Sequence, residues 1–263
     1  VLRWCSPVEF SCEANPESFD EHMAALMRSH GITRVSLGVQ SLDDAELRAI
    51  GRLHTAQRAL DALRLAKAYG FSVSCDLMCG LPGQSLDSWS SSLRRLLRYG
   101  PDHVSVYPLA IEDGTPLARK IGHGDCPEPD EDMQADAMEM ARAVFAGAGL
   151  VPYEVASYAR PGAECRHNIA YWTGVEYLGL GRSAAGMLSR SSFDRFDSLF
   201  HGVDPRSLDS DTSRVRLVQL DDAAFSFDVE TLSAREAMAE DLMLACRMTR
   251  GIPRNLLDRA CKI

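Results

Sequence analysis

Residues 71–83 read Phe-Ser-Val-Ser-Cys-Asp-Leu-Met-Cys-Gly-Leu-Pro-Gly, and this stretch decides the fold. The run from Phe71 to Met78 predicts a buried strand, and Gly80-Leu81-Pro82-Gly83 predicts a turn directly after it. An amphipathic helix pattern then continues to Gly100, and His103 to Leu109 predicts the next strand. Strands that alternate with helices at these spacings indicate a parallel sheet with right-handed crossovers.

The same unit repeats toward the beginning of the chain. Short apolar runs at Val8–Cys12 and Val35–Val39 predict two further strands, each followed by a helix pattern. Ser41 with Asp44 is predicted to cap the short helix that runs through Ile50. An open doubly wound sheet and a barrel both fit this alternation.

The pattern loosens in the second half of the chain. A helix is predicted from Asp130 to Gly147 and another over Ala234–Thr249, while the Ser/Asp-rich residues 189–230 predict a linker with a small hairpin. We therefore predict an α/β core over residues 1–190. A linker and a small, mainly helical C-terminal domain, incomplete at its end, would follow over residues 191–263.

Composition narrows the class of protein. The 263 residues include 28 Lys and Arg against 37 Asp and Glu, a formal net charge of −9, which argues against a general nucleic-acid binder. No apolar run approaches the roughly 18 residues of a membrane span. The eight cysteines show no disulfide framework, which favours free thiols in a reducing cytoplasm.

Polar residues stand where the predicted strands end. Glu13, Gln40 and Asp76 each lie at or near the carboxyl end of an apolar run, and Ala110 marks that place on the fourth strand. Ligands bind at this edge in parallel α/β proteins, in barrels and open sheets alike. Two acids and an amide that converge there can bind ribose hydroxyls or the ammonium group of an amino acid. The alternative is that they are caps and turn residues that satisfy backbone groups.

The densest polar and aromatic stretch is residues 164–172, Glu-Cys-Arg-His-Asn-Ile-Ala-Tyr-Trp. His167 beside Tyr171 and Trp172 is a candidate for binding a planar ligand or a metal. The alternative is a histidine that simply packs and forms hydrogen bonds beside these rings.

Five motifs in chain order resemble those of radical S-adenosylmethionine proteins of the oxygen-independent coproporphyrinogen III oxidase type. They are residues 13–16 (Glu-Ala-Asn-Pro), 36–41 (Ser-Leu-Gly-Val-Gln-Ser), 51–54 (Gly-Arg-Leu-His), 76–84 (Asp-Leu-Met-Cys-Gly-Leu-Pro-Gly-Gln) and 105–109 (Ser-Val-Tyr-Pro-Leu). The stretch His167-Asn168-x-x-Tyr171-Trp172 is similar to the haem-chaperone branch of that family. The resemblance runs over essentially the whole chain.

The resemblance implies a partial (β/α) barrel that binds S-adenosylmethionine and a [4Fe–4S] cluster. The positions that match the S-adenosylmethionine contacts of the family are Glu13, Gln40, Arg52, Asp76 and Ala110. Arg52 would hold the methionine carboxylate, and Ala110 would contact the adenine through its backbone or by van der Waals packing. His167, Tyr171 and Trp172 would take part in haem binding, with Cys165 as a rival thiolate ligand.

Two motifs of the family are absent from this sequence. One is the CxxxCxxC motif that holds the cluster, and the other is the glycine-rich GGTP-type motif that meets the methionine amine. Both belong upstream of Glu13, so we expect no metal ligands in this chain and interpret it as lacking the first two βα units of the family. A cluster-free paralogue is the alternative. The sequence of residues 181–186 also departs from the family, which commonly carries a histidine there.

Two functions stay open at this point. The motif around His167 favours a haem chaperone that passes haem to a client haem protein. The alternative is an enzyme that oxidatively decarboxylates the propionates of coproporphyrinogen III to vinyl groups. No catalytic residue is identified by the sequence, and whether the protein is an enzyme is left open.

Overall fold

The computed structural model describes residues 8–196, 200, 203, 208–221 and 226–261. The chain divides into two compact units, Val1–Cys165 and Arg166–Ile263. The division after residue 190, which rests on motif content, stays a prediction.

The first unit is an α/β structure. Its elements are β1 (Ser11–Ala14), α1 (Glu21–Ser29), β2 (Arg34–Gln40), α2 (Asp44–Ala49), α3 (Ala56–Ala68), β3 (Ser72–Cys79), α4 (Leu86–Leu97), β4 (His103–Pro108), α5 (Pro116–Gly122), α6 (Glu131–Gly147), β5 (Val151–Pro152) and β6 (Ser157–Ala159). The sheet order is β1-β2-β3-β4-β6-β5. β1 to β4 are parallel, and β6 is antiparallel to both of its neighbours. The predicted α/β class with parallel strands is confirmed, and its closure into a partial barrel stays a prediction.

One face of this sheet belongs to the apolar core. The fully buried side chains of β2 and β3 are Val35, Leu37, Val39, Val73, Cys75, Leu77 and Cys79. They share one hydrophobic cluster with the leucines of α3 and with Trp89 of α4. Trp89 also donates its indole N–H to the carbonyl of Ala137 at 2.8 Å, which joins α4 to α6. The helices α3, α4 and α6 therefore seal the apolar face.

The opposite face of the same sheet is polar. Ser36, Asp76 and Ser105 alternate with the buried apolar residues of β2, β3 and β4, as the period of two in a strand requires. The Ser36 hydroxyl donates to Asp76 Oδ2 at 3.0 Å, and Ser157 Oγ donates to Ser105 Oγ at 3.3 Å. Such a face suits a ligand or water rather than a second apolar layer.

The second unit combines helices with a sheet. Its elements are α7 (Arg166–Trp172), β7 (Ala185–Ser189), α8 (Arg190–Arg195), β8 (Thr212–Asp221), β9 (Ser226–Ser233), α9 (Ala234–Ala245) and α10 (Arg254–Ala260). β7, β8 and β9 form an antiparallel sheet. The predicted hairpin thus exists as β8 and β9. β8 and β9 lie in the region for which a mainly helical domain is predicted. Val215 and Leu217 of β8 are buried and alternate with Arg214 and Arg216, which form ion pairs, as the period of two in a strand requires.

The prediction that Ser41 and Asp44 cap α2 is wrong, and the Asp44 carboxylate accepts from the amide of Ala56 at 2.7 Å instead. Asp43 caps the helix, and its carboxylate accepts from the backbone amides of Ala45 at 2.7 Å and Glu46 at 3.2 Å. Ser41 lies two residues earlier and donates its hydroxyl to the side chain of Glu46 instead.

In the part of the chain that the structure describes, no helix is both long and apolar enough to cross a membrane.

Candidate functional site

A pocket of about 490 Å³ opens at the carboxyl ends of β1, β2 and β3. Four of the five residues that the resemblance assigns to S-adenosylmethionine line it, namely Glu13, Gln40, Arg52 and Asp76. They come from four separate segments, which the parallel crossovers bring to one edge of the sheet. Ala110, the fifth, is exposed just beyond β4 and lies outside this lining.

Asp76 supplies a half-buried carboxyl group to the pocket. Burial raises the pKa of Asp76 above its ordinary value, and the nearby charge of Glu13 acts in the same direction. The hydroxyls of Ser36 and Ser105 and the charge of Arg34 oppose this rise. The carboxyl group of Asp76 thus accepts a hydrogen bond from Ser36 and also lines the pocket, where it can accept one from a ligand hydroxyl.

Arg52 supplies a positive charge to the same pocket. It lies in the loop between α2 and α3, and its Nη1 donates to Asn15 Oδ1 at 3.1 Å. Asn15 follows β1, so this bond links the ends of two segments that face the pocket. A guanidinium group in this position suits a carboxylate ligand.

Gln40 sits in an unusual backbone conformation at the end of β2. Its φ is +63°, and the amide of Ser41 donates to the carbonyl of Val39 at 2.8 Å, which together define a γ-turn centred on Gln40. A side chain on Gly38 would place its Cβ 3.0 Å from Gln40 Nε2. The glycine thus leaves the space in which the glutamine amide lies.

His54 braces this turn and was not singled out from the sequence. Its Nε2 lies 3.1 Å from the carbonyl oxygen of Val39, and its Nδ1 lies 3.1 Å from Glu17 Oε2. The side chain is buried. His54 belongs to the motif of residues 51–54, but its partners lie 15 and 37 residues away, so spacing alone carried no signal of this role.

A second buried histidine lies deeper on the polar face. His103 of β4 has Nδ1 2.8 Å from Ser74 Oγ and Nε2 2.9 Å from the hydroxyl of Tyr153. Burial lowers the pKa of His103 to about 3, and the charge of Arg34 acts in the same direction. This ring is therefore a neutral part of the frame beneath the pocket.

The aromatic stretch of α7 is held quite differently. None of the seven residues of this helix is buried, and His167 is exposed. His167 and Tyr171 are four residues apart and share one face of the helix. The Tyr171 ring contacts Trp172 at 5.1 Å and Tyr177 at 5.7 Å between centroids. Tyr171 is exposed, Trp172 and Tyr177 are partly buried, and a histidine beside the exposed ring can meet a flat ligand.

Cys165 lies only two residues before His167 but is buried in the first unit. Its Sγ lies 3.7 Å from Glu9 Oε1. The side chain thus has a partner within the protein, whereas His167 faces solvent.

The described residues offer no ligand set for a metal cluster. No group of three or more His, Cys, Asp or Glu side chains among them is arranged to hold a metal ion. Cys75 and Cys79 are buried on the apolar face of β3, and burial raises the pKa of Cys79 to about 11. These thiols are therefore part of the core.

Comparisons with known proteins identify the superfamily and the relatives that this chain resembles. Residues 5–96 match the model of the radical SAM superfamily. The chain is 38% identical over 246 residues to a protein named heme chaperone HemW from Mycobacterium tuberculosis, a match covering 93% of this chain and 60% of that protein. A HemW from Lactococcus lactis is 31% identical over 245 residues, which cover 93% of this chain and 61% of that protein.

A solved structure shares the fold. Coproporphyrinogen III oxidase (HemN) from Escherichia coli superposes with a TM-score of 0.72 at 20% sequence identity, covering 97% of this chain and 58% of that chain. At this identity the likeness concerns the fold alone.

Residues 5–96 are thus similar to the radical SAM superfamily. Within it, the chain is related over 93% of its length to proteins named heme chaperone HemW. The chain spans about 60% of the length of these curated relatives.

Proposed function

We propose that the pocket at the ends of β1, β2 and β3 binds S-adenosylmethionine and that the chain is part of a haem chaperone. The observation that carries the first half is the convergence of Glu13, Gln40, Arg52 and Asp76 on one pocket. Its volume of about 490 Å³ lies within the ordinary range for a small-molecule site. The names of the related proteins support the second half.

The donor set suits the chemistry of S-adenosylmethionine. Glu13 and Asp76 offer carboxylate oxygens to ribose hydroxyls, and Arg52 offers a fork of N–H donors to the methionine carboxylate. Gln40 offers both an acceptor and two donors, and the absence of a Cβ at Gly38 leaves room for its amide. When bound beside a reduced cluster, S-adenosylmethionine supplies radical chemistry in this superfamily. The residues described here do not fit the cluster itself, so we derive no step through it.

For haem, the proposed contacts are on α7. An imidazole nitrogen is an axial ligand for haem iron, and the exposed His167 presents its ring on the same helix face as Tyr171. Tyr171 and Trp172 would pack on the porphyrin, since they already form one aromatic cluster with Tyr177. The haem would pass to a client haem protein, and we place the protein in the cytoplasm because the seven cysteines that the structure describes are free thiols.

The S-adenosylmethionine site is tested by calorimetric titration of the complete protein. We expect one site per chain, with affinity lost when Arg52 is replaced by Ala. Arg48, which lies on α2 and outside the pocket lining, gives the matched control Arg48→Ala. Equal affinity of both variants and the wild type would refute the site.

The haem site is tested by titration of the complete protein, followed by its Soret absorbance. His167→Ala is expected to change the spectrum and lower the affinity, while Cys165→Ala keeps both because that thiol is buried against Glu9. Loss in Cys165→Ala alone would move the ligand to the thiolate. Robust decarboxylation of coproporphyrinogen III by the complete protein would contradict the chaperone function and favour the oxidase function.

A further inference from the structure

Glu46 of α2 is a buried carboxylate held by neutral donors. Its side chain accepts from Ser41 Oγ at 2.6 Å, Ser88 Oγ at 2.6 Å and Gln84 Nε2 at 2.9 Å. Only 3% of the residue is exposed. Burying a carboxylate is costly unless its hydrogen bonds are made, so an arrangement of three donors indicates a defined geometric task.

The first donor connects Glu46 to the turn at Gln40. The backbone amide of Ser41 closes the γ-turn onto Val39, while its side chain is tied to Glu46. The same hydroxyl accepts from the amide of Asp43 at 2.9 Å. A positive φ at a non-glycine residue persists only where the surroundings impose it, and Ser41 is attached on both sides.

The other two donors connect Glu46 to the segment after β3. Gln84 Oε1 accepts from the amide of Gly80 at 2.7 Å, so Gln84 holds the turn of residues 80–83. Ser88 forms the capping box of α4 with Ser85. Glu46 therefore ties the segment after β2 to the segment after β3, without lining the pocket itself.

We propose that Glu46, acting through Ser41, is a positioning residue that keeps the Gln40 amide directed into the pocket. The proposal rests on the proposed function for the identity of the ligand, S-adenosylmethionine. It assigns a role to Ser41 and Glu46, neither of which touches the pocket. A purely structural brace would instead affect only the stability of the helices.

The chain offers a matched pair of variants for the test. Ser41 and Ser88 donate to the same carboxylate at the same distance, and each accepts one backbone amide, from Asp43 at 2.9 Å and from Ser85 at 3.0 Å. The Ser88 hydroxyl also lies 3.0 Å from the carbonyl oxygen of Ser85, so Ser88→Ala loses at least as many hydrogen bonds as Ser41→Ala. Only Ser41→Ala loosens the turn at Gln40.

Calorimetry with S-adenosylmethionine in the complete protein gives the first readout. We expect Ser41→Ala to weaken the affinity about tenfold and Ser88→Ala to change it less than about twofold. In a Gln40→Ala background, Ser41→Ala should cause no further loss, because its effect passes through Gln40. Equal losses in the two serine variants, or an undiminished effect in the Gln40→Ala background, would overturn the proposal.

Hydrogen exchange of the ligand-free protein gives a readout that does not depend on S-adenosylmethionine. We expect faster exchange over residues 39–42 in Ser41→Ala and in Glu46→Ala, but not in Ser88→Ala. Glu46→Gln keeps an oxygen for Ser41 and should retain slow exchange. Unchanged exchange in Ser41→Ala refutes the positioning role. Faster exchange in a protein that never bound S-adenosylmethionine would refute the proposed ligand while the bracing of Gln40 stands.

Discussion

The pocket of the first unit and the helix α7 of the second unit differ in how their functional side chains are held. Gln40 is 8% exposed, and hydrogen bonds from His54 and Ser41 converge on the carbonyl that precedes it. His167 is exposed on a seven-residue helix with no buried residue. The first arrangement is fixed by internal hydrogen bonds, whereas the imidazole of His167 lies in solvent. Binding to a preorganised site is weakened by substitutions of the residues that support its ligand contacts. Binding to an exposed site is weakened mainly by substitutions of the contact residues themselves.

The largest expected effect is on the pocket. Asp76→Asn removes a charge that faces the ligand but keeps the shape of the side chain, so the affinity for S-adenosylmethionine should fall roughly 10- to 100-fold. Calorimetry of the complete protein measures this. Asp87→Asn, at an exposed position of α4 away from the pocket, is the control and should bind like the wild type. Unchanged affinity in Asp76→Asn would mean that the carboxylate charge of Asp76 does not contribute to binding.

The buried side chain of His103 should make the free energy of unfolding depend on pH. His103 stays neutral in the folded protein because burial lowers its pKa to about 3, whereas the unfolded chain gains a proton below about pH 6.5. Stability is thus lost as the pH falls from about 6.5 toward 3, by roughly 2 kcal/mol between pH 7 and pH 5. Denaturant unfolding at both pH values measures the loss.

Replacing His103 and His167 one at a time shows which of the two histidines causes the pH dependence of stability. His103→Gln should remove this part of the pH dependence, even if the variant is less stable at both pH values. His167→Gln should keep it, because His167 is exposed. The same pH dependence in His103→Gln and wild type would contradict the assignment to His103.

A smaller effect is expected at Gly38. Ala at this position would place its Cβ 3.0 Å from Gln40 Nε2, and the amide must move by a few tenths of an ångström. Because the contact is with the end of a flexible side chain, we expect little loss of stability and about fivefold weaker S-adenosylmethionine binding. Gly122→Ala is the control, since its Cβ would meet nothing within 4 Å. If Gly38→Ala binds like the control, the position of the Gln40 amide does not govern affinity.

The smallest effect is expected on α7. Tyr171→Leu keeps an apolar side chain at a position that is 41% exposed but removes the ring, so haem affinity should fall about two- to fivefold. Soret titration of the complete protein measures this, with Tyr171→Phe as the variant that retains the ring. A loss as large as that of His167→Ala would show that Tyr171 itself holds the haem.

Local pattern predicts much of the fold because strand and helix periods are written in short segments. The predicted runs at 35–39, 71–78 and 103–109 overlap β2, β3 and β4 almost completely. The first run, 8–12, is displaced from β1 because pairing with β2 begins only at Ser11, opposite Arg34. The alternation in β8 was present in the sequence, but Ser- and Asp-rich surroundings favoured a linker.

The candidate pocket was also predictable in part. Parallel crossovers place successive strand ends at one edge, so Glu13, Gln40 and Asp76 were expected together, and the pocket contains all three. The bracing residues were not predictable. Glu46 meets Gln84 and Ser88 across 38 and 42 residues, and no local spacing encodes such contacts.

The sequence by itself determined the strand–helix alternation and the polar residues at the strand ends, because both follow from the period and order of side chains along the chain. Only the tertiary structure decided which of these residues share a pocket and how each is held. It buried Cys165 and left His167 two residues later in solvent, and it brought Glu13, Gln40, Arg52 and Asp76 together in one pocket. It also gave Gln40 a positive φ, since His54 reaches the carbonyl of Val39 from 15 residues away, and Glu46, which holds Ser41, is itself held by Gln84 and Ser88 from 38 and 42 residues away.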